Sequence, residues 1–122
     1  MGQGEEQTAG AGTGTITWAD FTRVVLCAGT VVRVEPFPEA RKPAWKLWVD
    51  FGPHGTRRTS AQIRDLYDAS DLLGRQVVGV VNFPPKQIGP FMSEFLLTGF
   101  PTDAGVVLTT LERPVPDGTR MA

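Results

Sequence analysis

The stretch WKLWVDFG, residues 45–52, decides the fold, because apolar side chains recur in it at every second position. A period of two is typical of a strand that buries one face, so we expect that face to line a core. Its members are Trp45, Leu47, Val49 and Phe51. The opposite face pairs Trp48 with Lys46. A tryptophan there indicates either a contact surface or packing beneath a loop.

Turn residues follow this strand directly. FGPHGT, residues 51–56, has the Gly and Pro content of a hairpin turn, in which we expect His54 to be solvated. The turn leads into a polar strand, TRRTS, at residues 56–60.

Other short strands lie on both sides of this hairpin. VVLCAGTVVRV, residues 24–34, predicts a strand that bends or bulges at Gly29. GRQVVGVVNF, residues 74–83, carries apolar side chains on both faces, which is typical of a central strand. Two further strands are predicted at residues 93–100 and 105–111.

Two short helical segments accompany the strands. Residues 16–21 predict a helix capped by Thr17, and residues 60–68 have the apolar spacing of a short helix or helical turn. Five or six short strands without long alternating helices predict an all-β barrel, closed or nearly closed. For a chain of this size we expect an OB-fold five-stranded barrel with short helical insertions and terminal extensions, with other small barrels as alternatives.

The length of 122 residues suits one domain with one hydrophobic core. Gly, Gln, Glu and Thr dominate the start, so we expect residues 1–15 to be a disordered tail and residues 16–122 to be the domain. No run approaches the roughly 20 apolar residues that a bilayer span needs. We see no secretory signal, and we therefore expect a cytoplasmic protein without membrane insertion.

The residues that could carry chemistry are few. A single cysteine, Cys27, cannot form an internal disulfide, and with the single His54 it gives too few ligands for a closed zinc site. Cys27 lies in an apolar run, which favours a buried structural thiol over a reactive one. We find no nucleophile elbow or P-loop, so we expect no catalytic site, no metal and no cofactor.

Positive charge is concentrated in the middle of the chain. The net charge of the whole chain is −1, yet residues 33–86 carry nine Lys or Arg against six Asp or Glu. This excess is compatible with a local surface that contacts phosphates, and equally with a mixed, solvated surface.

Four blocks of sequence resemble one family in their order and spacing. They are FPEARKPAWKLWVDFG (37–52), SAQI (60–63), GRQVVGVVNFPPKQIGPFMSEFLLTG (74–99) and RPVPDGTRM (113–121). They resemble the freestanding tRNA-binding domains related to the extension of methionyl-tRNA synthetase, and among these the CsaA-type secretion chaperones. In one departure, Val25, Leu26 and Cys27 stand where the family commonly has Asp-Ile-Arg.

The resemblance implies an OB-fold homodimer that binds tRNA, or unfolded preprotein segments, on a face around residues 82–94. The candidate RNA- or peptide-binding residues there are Asn82, Phe83, Lys86, Gln87, Phe91, Met92 and Ser93. The lysine can contact a phosphate, the phenylalanines can stack on a base or an apolar side chain, and the neutral polar groups can donate and accept. The methionine suits either an adaptable surface or the core.

Other basic residues could join this face. Arg41, Lys42 and Lys46 form a second cluster, which is either part of the binding surface or a solvated loop. Arg57 and Arg58 are neighbours on a strand and face opposite sides, so at most one belongs to the site.

Apolar residues in the terminal segments predict a dimer interface. These residues are Trp18, Phe21, Val115 and Met121. A small barrel has little interior left to cover them, and surplus apolar surface of this kind commonly marks an interface. We expect a twofold-symmetric homodimer.

These observations favour a non-catalytic homodimer that acts as a CsaA-like export chaperone and binds unfolded preproteins, tRNA, or both. The alternative is a tRNA-binding accessory module that works with an aminoacyl-tRNA synthetase and has no chaperone activity. Salt separates the two ligand classes, because phosphate contacts are screened and apolar burial is not.

Overall fold

The structure, a computed structural model, describes residues 14–122. The tail predicted over residues 1–15 therefore lies, up to residue 13, outside the described residues. In chain order the elements are α1 (Trp18–Thr22), β1 (Leu26–Pro36), β2 (Trp45–Asp50), a single turn of 3-10 helix (Gly52–His54), β3 (Thr56–Ala61), α2 (Ala69–Leu72), β4 (Gln76–Val80), β5 (Lys86–Ile88), β6 (Phe91–Ser93), β7 (Leu96–Leu97), β8 (Gly99–Thr102) and β9 (Gly105–Leu108).

Five strands form one antiparallel sheet in the order β3-β2-β1-β4-β7. The segment 91–97 borders both edges of this sheet. At one edge the Glu94 N–H donates to the Arg58 carbonyl at 2.7 Å, and at the other Leu96 lies opposite Val80. The sheet therefore curls into a nearly closed barrel, which confirms the predicted all-β, OB-like fold.

The face of β2 that was predicted to be apolar lines the core. Leu47, Val49 and Phe51 are buried, and the ring of Phe51 meets that of Phe95 edge-on, with centroids 4.9 Å apart. Trp45 is half-buried at the start of the strand, and its indole N–H donates to the Tyr67 carbonyl at 2.9 Å.

The bulge in β1 lies further along the strand than predicted. The register with β2 shifts between Val31 and Arg33, not at Gly29. Gly29 instead marks a close approach, since a Cβ there would lie 2.6 Å from Val49 Cγ1 and 2.7 Å from the Phe51 ring. The missing side chain makes room for the core, which is the other common reason for glycine inside a strand.

The first helix is as predicted, and the second is displaced. Thr17 Oγ1 accepts from the Asp20 N–H at 3.1 Å and caps α1. Residues 60–68 contain the end of β3 and turns, and the helix begins only at Ala69. The start is fixed by a side-chain contact that apolar spacing does not reveal, because the Asp68 N–H donates to Asp71 Oδ2 at 2.9 Å.

The C-terminal segment extends the sheet beside the first half of β1. The Ala28 N–H donates to Thr119 O at 2.9 Å, and the Met121 N–H donates to Leu26 O at 2.8 Å. On this side of β1 the C-terminal segment pairs with residues 26–28, and β2 pairs from Thr30 onwards. The first half of β1 therefore has a neighbour on each side, because β4 pairs with its other side. None of the helices within residues 14–122 is long and apolar enough to cross a membrane.

Candidate nucleic-acid and peptide interface

A groove opens between β3, the loop after β4 and the β5–β6 hairpin. Its volume is about 580 Å³, and its apolar lining includes Phe83, Pro85, Ile88 and Leu96. Phe83 is 52% exposed although it is a large aromatic residue, and Lys86 is exposed beside it. We call this cavity the Phe83 groove.

The β5–β6 hairpin forms one wall of the Phe83 groove. Lys86 lies opposite Ser93 and Ile88 lies opposite Phe91, with Gly89 in the turn at φ +57°. A positive φ is easily adopted by glycine, so the sequence Ile-Gly-Pro-Phe allows this tight reversal.

Side chains join the hairpin to the edge of β3. Ser93 Oγ accepts from the Ser60 N–H at 3.2 Å, and Glu94 Oε1 accepts from the Arg58 N–H at 3.0 Å. Two N–H groups of the strand edge are therefore satisfied by side-chain oxygens instead of backbone carbonyls.

Five of the seven binding residues predicted on this face keep some surface towards solvent, and Asn82 is one of them. Phe83, Lys86 and Gln87 are exposed, and Met92 is half-buried. The amide of Gln87 donates to Gly89 O at 2.6 Å within its own hairpin. Phe83 and Lys86 thus fit a ligand-binding role most directly.

Three of the predicted residues on this face serve the fold. Phe91 is only 6% exposed, so its ring cannot stack on a ligand as expected. Ser93 is buried, and its hydroxyl serves the β3 edge. Asn82 is exposed, yet its amide accepts from Val25 N–H and donates to Arg23 O, so its polar groups are already used.

The three residues of the second predicted basic cluster lie in two different environments. Lys46 Nζ lies 4.9 Å from the ring centroid of Phe37 and 5.3 Å from that of Phe91, which brings it beside the hairpin. Arg41 and Lys42 are exposed on the loop before β2. That loop packs on the hairpin through a small apolar cluster of Phe37, Ala44 and Phe91, so two regions far apart in sequence share one surface.

The two neighbouring arginines of β3 diverge. The Arg57 guanidinium donates to the backbone carbonyls of Val81 and His54, so it is used in hydrogen bonds within the protein. The guanidinium Cζ of Arg58 lies 4.8 Å from the Phe91 ring centroid. Arg58 is therefore the member of the pair that lies next to the hairpin.

Sequence reasoning did not single out Arg33, whose guanidinium Cζ lies 4.4 Å from the ring centroid of Trp48. The unusual pairing of Trp48 with Lys46 was the one available signal. It could not identify the strand that would cover the tryptophan.

Apolar residues remain uncovered near the termini. Trp18 is 67% exposed and Met121 is 43% exposed, whereas Phe21 and Val115 are half-buried. Arg120 donates to the carbonyl of Thr22, which ties the C-terminal segment to α1. The four residues of the predicted dimer interface therefore belong to two adjoining segments.

A protein-family model described as "Putative tRNA binding domain" matches residues 26–120. The chain belongs to this tRNA-binding domain family. The resemblance carried by the four sequence blocks is thereby confirmed.

Two solved structures match most of this chain. Chaperone CsaA from Bacillus anthracis str. Ames is 43% identical, with a TM-score of 0.83, over 89% of this chain and 100% of that chain. The CsaA chaperone protein from Picrophilus torridus is 40% identical, with a TM-score of 0.83, over 88% of this chain and 100% of that one. The chain is therefore CsaA-like in structure.

The same tRNA-binding domain occurs within larger proteins. The methionine–tRNA ligase of Salinibacter ruber is 36% identical over 104 residues, which are 85% of this chain and 12% of the ligase. The chain spans 12% of that ligase and 18% of the methionine–tRNA ligase of Methanocaldococcus jannaschii.

Proposed function

We propose that this tRNA-binding-domain protein is a non-catalytic homodimer that binds tRNA and extended segments of unfolded preproteins. In this role it acts as a CsaA-like export chaperone in the cytoplasm. The observation that carries the proposal is the Phe83 groove, an open apolar cavity of about 580 Å³ with a lysine at its side.

The shape of the Phe83 groove suits a chain that passes through it. Phe83 also borders two further depressions of about 330 and 340 Å³. An aromatic ring between three adjoining cavities can contact several consecutive residues of an extended polypeptide, which advances about 3.3 Å per residue. Apolar lining contributes affinity without demanding one side-chain type.

The charges around the groove suit RNA. Lys86 is exposed, and Lys46 and Arg58 lie over the Phe91 ring on the adjoining surface. Cations of this kind neutralise phosphates, and each such contact adds to the salt dependence of binding. Membership of the tRNA-binding domain family supports tRNA as the ligand.

A salt titration with tRNA and with an unfolded preprotein segment tests the proposal. We expect tRNA affinity to fall steeply with salt and preprotein affinity to change little. Lys86→Ala should reduce the log–log salt slope for tRNA by about 0.7 to 0.9, the value for one lost phosphate contact. Arg113→Ala removes one positive charge from an exposed tail position and is the matched control.

Phe83→Ala is the complementary variant, and we expect it to weaken preprotein binding. Phe100→Ala is its control, since Phe100 is 63% exposed on β8, away from the groove. If neither ligand binds at physiological salt, or if both phenylalanine variants behave alike, the proposal is wrong.

The homodimer is proposed to form through α1 and the C-terminal segment. Trp18 and Met121 leave apolar surface uncovered there, beside a cavity of about 220 Å³ lined by Val115 and Leu111. Light scattering at micromolar concentration should give the dimer mass, and Trp18→Ala should shift the mass towards the monomer. A wild-type protein that is monomeric under these conditions refutes this part.

A synthetase accessory role is the second candidate. The matching part of the methionine–tRNA ligases favours it, because there the same domain is joined to a synthetase. In this case the protein should co-sediment with a synthetase and tRNA, and preprotein segments should not bind.

A further inference from the structure

Three side chains line up across adjacent strands on the outer face of the barrel. Arg33 of β1 lies opposite Trp48 of β2, and Trp48 lies opposite Arg58 of β3. Directly opposite residues have Cβ atoms about 5 Å apart, so the three span about 10 Å. We call them the Arg-Trp-Arg row.

The bulge in β1 creates this row. Val31 is buried and Val34 packs against the same core cluster, although the two are three positions apart. Such spacing is possible because a bulge inserts one residue and reverses the alternation after it. With regular alternation from Val31, Arg33 would face the core. The bulge instead places its guanidinium over Trp48.

Aromatic contacts beneath the row hold it in place. The ring of Trp48 meets that of Phe91 edge-on, with centroids 6.1 Å apart and planes at 82°. Arg58 covers the same Phe91 ring, and its Nε has no hydrogen-bond partner among the described residues. The buried Phe91 ring therefore supports both Trp48 and Arg58.

Arg33 is supported on one side and open on the other. Its ring contact with Trp48 covers one face of the guanidinium, and Glu35 pairs with one of its terminal nitrogens. The Arg33 side chain is nevertheless 60% exposed. A planar cation that is fixed below and at one edge offers its outer face to a flat ligand.

We propose that an unpaired base of the bound RNA stacks on the guanidinium of Arg33, with Trp48 as the layer beneath. This inference rests on the proposed function, because it requires RNA as a ligand. Proteins stack splayed-out bases on arginine planes and aromatic rings, and the positive charge attracts the neighbouring phosphate. Bases inside a duplex have both faces covered, so the row selects unpaired nucleotides over continuous duplex.

Arg33→Lys tests the stacking, since it keeps the charge and removes the plane. Binding is measured to an RNA hairpin with an unpaired loop and to a blunt RNA duplex of the same length. We expect the variant to lose about tenfold in affinity for the hairpin, in line with the energy of one stacked base, and nothing for the duplex. The salt slope should stay unchanged, since no phosphate contact is lost.

Arg64→Lys is the matched control. Arg64 is also exposed, and its guanidinium Cζ lies 4.3 Å from the ring centroid of Trp45, outside the row. It should leave both affinities unchanged. Quenching of tryptophan emission by the hairpin RNA should be seen in the wild type and should be reduced in Trp48→Phe.

The outcomes separate this inference from the proposed function. Wild-type protein that binds neither RNA overturns both. Wild-type protein that binds hairpin and duplex equally, with Arg33→Lys equal to wild type, overturns the stacking site alone. An equal loss in Arg33→Lys and Arg64→Lys also overturns it.

Discussion

The side-chain amide of Asn82 is fastened to the backbone at Val25: its Oδ1 accepts from the Val25 N–H at 2.9 Å. Its Nδ2 donates to Arg23 O at 2.7 Å. The loop after β4 is thus joined to the segment that leads from α1 into β1. A residue that the sequence suggested as a ligand contact is, in the structure, the attachment of the N-terminal segment.

Asn82→Ala should therefore destabilise the protein and loosen α1. Two lost hydrogen bonds are worth about 1 to 2 kcal/mol in the free energy of unfolding, measured by urea denaturation. Because α1 carries Trp18, the dimer should also dissociate more readily. Gln87→Ala is the control, since that amide contacts only its own hairpin. If Asn82→Ala left stability unchanged and weakened ligand binding, Asn82 would be a ligand contact, as the sequence predicted.

Phe91→Ala should mainly lower the stability of the protein, whereas Phe83→Ala should mainly weaken preprotein binding. Phe91 is 6% exposed, and its loss should cost about 3 to 5 kcal/mol in the free energy of unfolding. Phe83 is 52% exposed, and its loss should change stability by less than about 0.5 kcal/mol while weakening preprotein binding. Chemical denaturation beside a binding titration checks both. Equal stability losses would contradict the assignment of the two rings.

Gly29→Ala should destabilise the barrel through a steric clash with Val49 and Phe51. The added Cβ would lie 2.6 Å from Val49 Cγ1, and overpacking of this kind costs about 1 to 3 kcal/mol. Gly14→Ala is the matched control, because a Cβ there has nothing within 4 Å. Thermal unfolding should show a lower midpoint only for the first variant.

Glu35→Gln should strengthen RNA binding. The carboxylate pairs with Arg33 beside the Arg-Trp-Arg row, so its removal takes away a negative charge that repels phosphate. We expect an increase in affinity of about two- to threefold at low salt, shrinking as salt rises. Glu112→Gln breaks a similar exposed pair with Arg113 and changes the net charge equally. An identical gain in both variants would point to net charge alone.

The Cys27 thiol should be unreactive in the folded protein, and it should lower the free energy of unfolding as the pH rises into the alkaline range. Burial raises the pKa of its thiol, against smaller opposing effects of Arg120 and Arg57. Above about pH 8.5 the unfolded chain ionises this thiol while the folded chain resists, so stability falls as pH rises. Comparison of wild type with Cys27→Ala in urea at pH 8 and pH 10 isolates this slope. Rapid labelling of the native thiol by a disulfide reagent would contradict it.

The sequence predicted the parts of the fold that depend on neighbouring residues. Alternation over residues 45–51 placed β2 correctly, and Thr17 marked the start of α1. The bulge was misplaced because Gly29 offers a local reason for one. The actual register shift, between Val31 and Arg33, accompanies the packing of both Val31 and Val34 against core residues that are distant in sequence.

The candidate site was harder to predict for a related reason. Asn82 bonds to Val25 across 57 positions, and Ser93 bonds to Ser60 across 33. The residues near Asn82 and Ser93 in sequence do not indicate these hydrogen-bond partners. Both side chains were therefore interpreted as polar groups free to bind a ligand. Phe83 and Lys86 are exposed, in a loop whose prolines keep its side chains at the surface, and their binding role stays a prediction.

The seam along β3 has a mechanical consequence. Along this seam the wall of the Phe83 groove is held by one backbone hydrogen bond, from the Glu94 N–H to the Arg58 carbonyl, and by two side-chain acceptors, Ser93 Oγ and Glu94 Oε1. Rotation of either side chain would free one N–H of β3 while the backbone hydrogen bond keeps the wall attached. The shape of the groove at this edge therefore depends on the rotamers of two side chains as well as on the sheet.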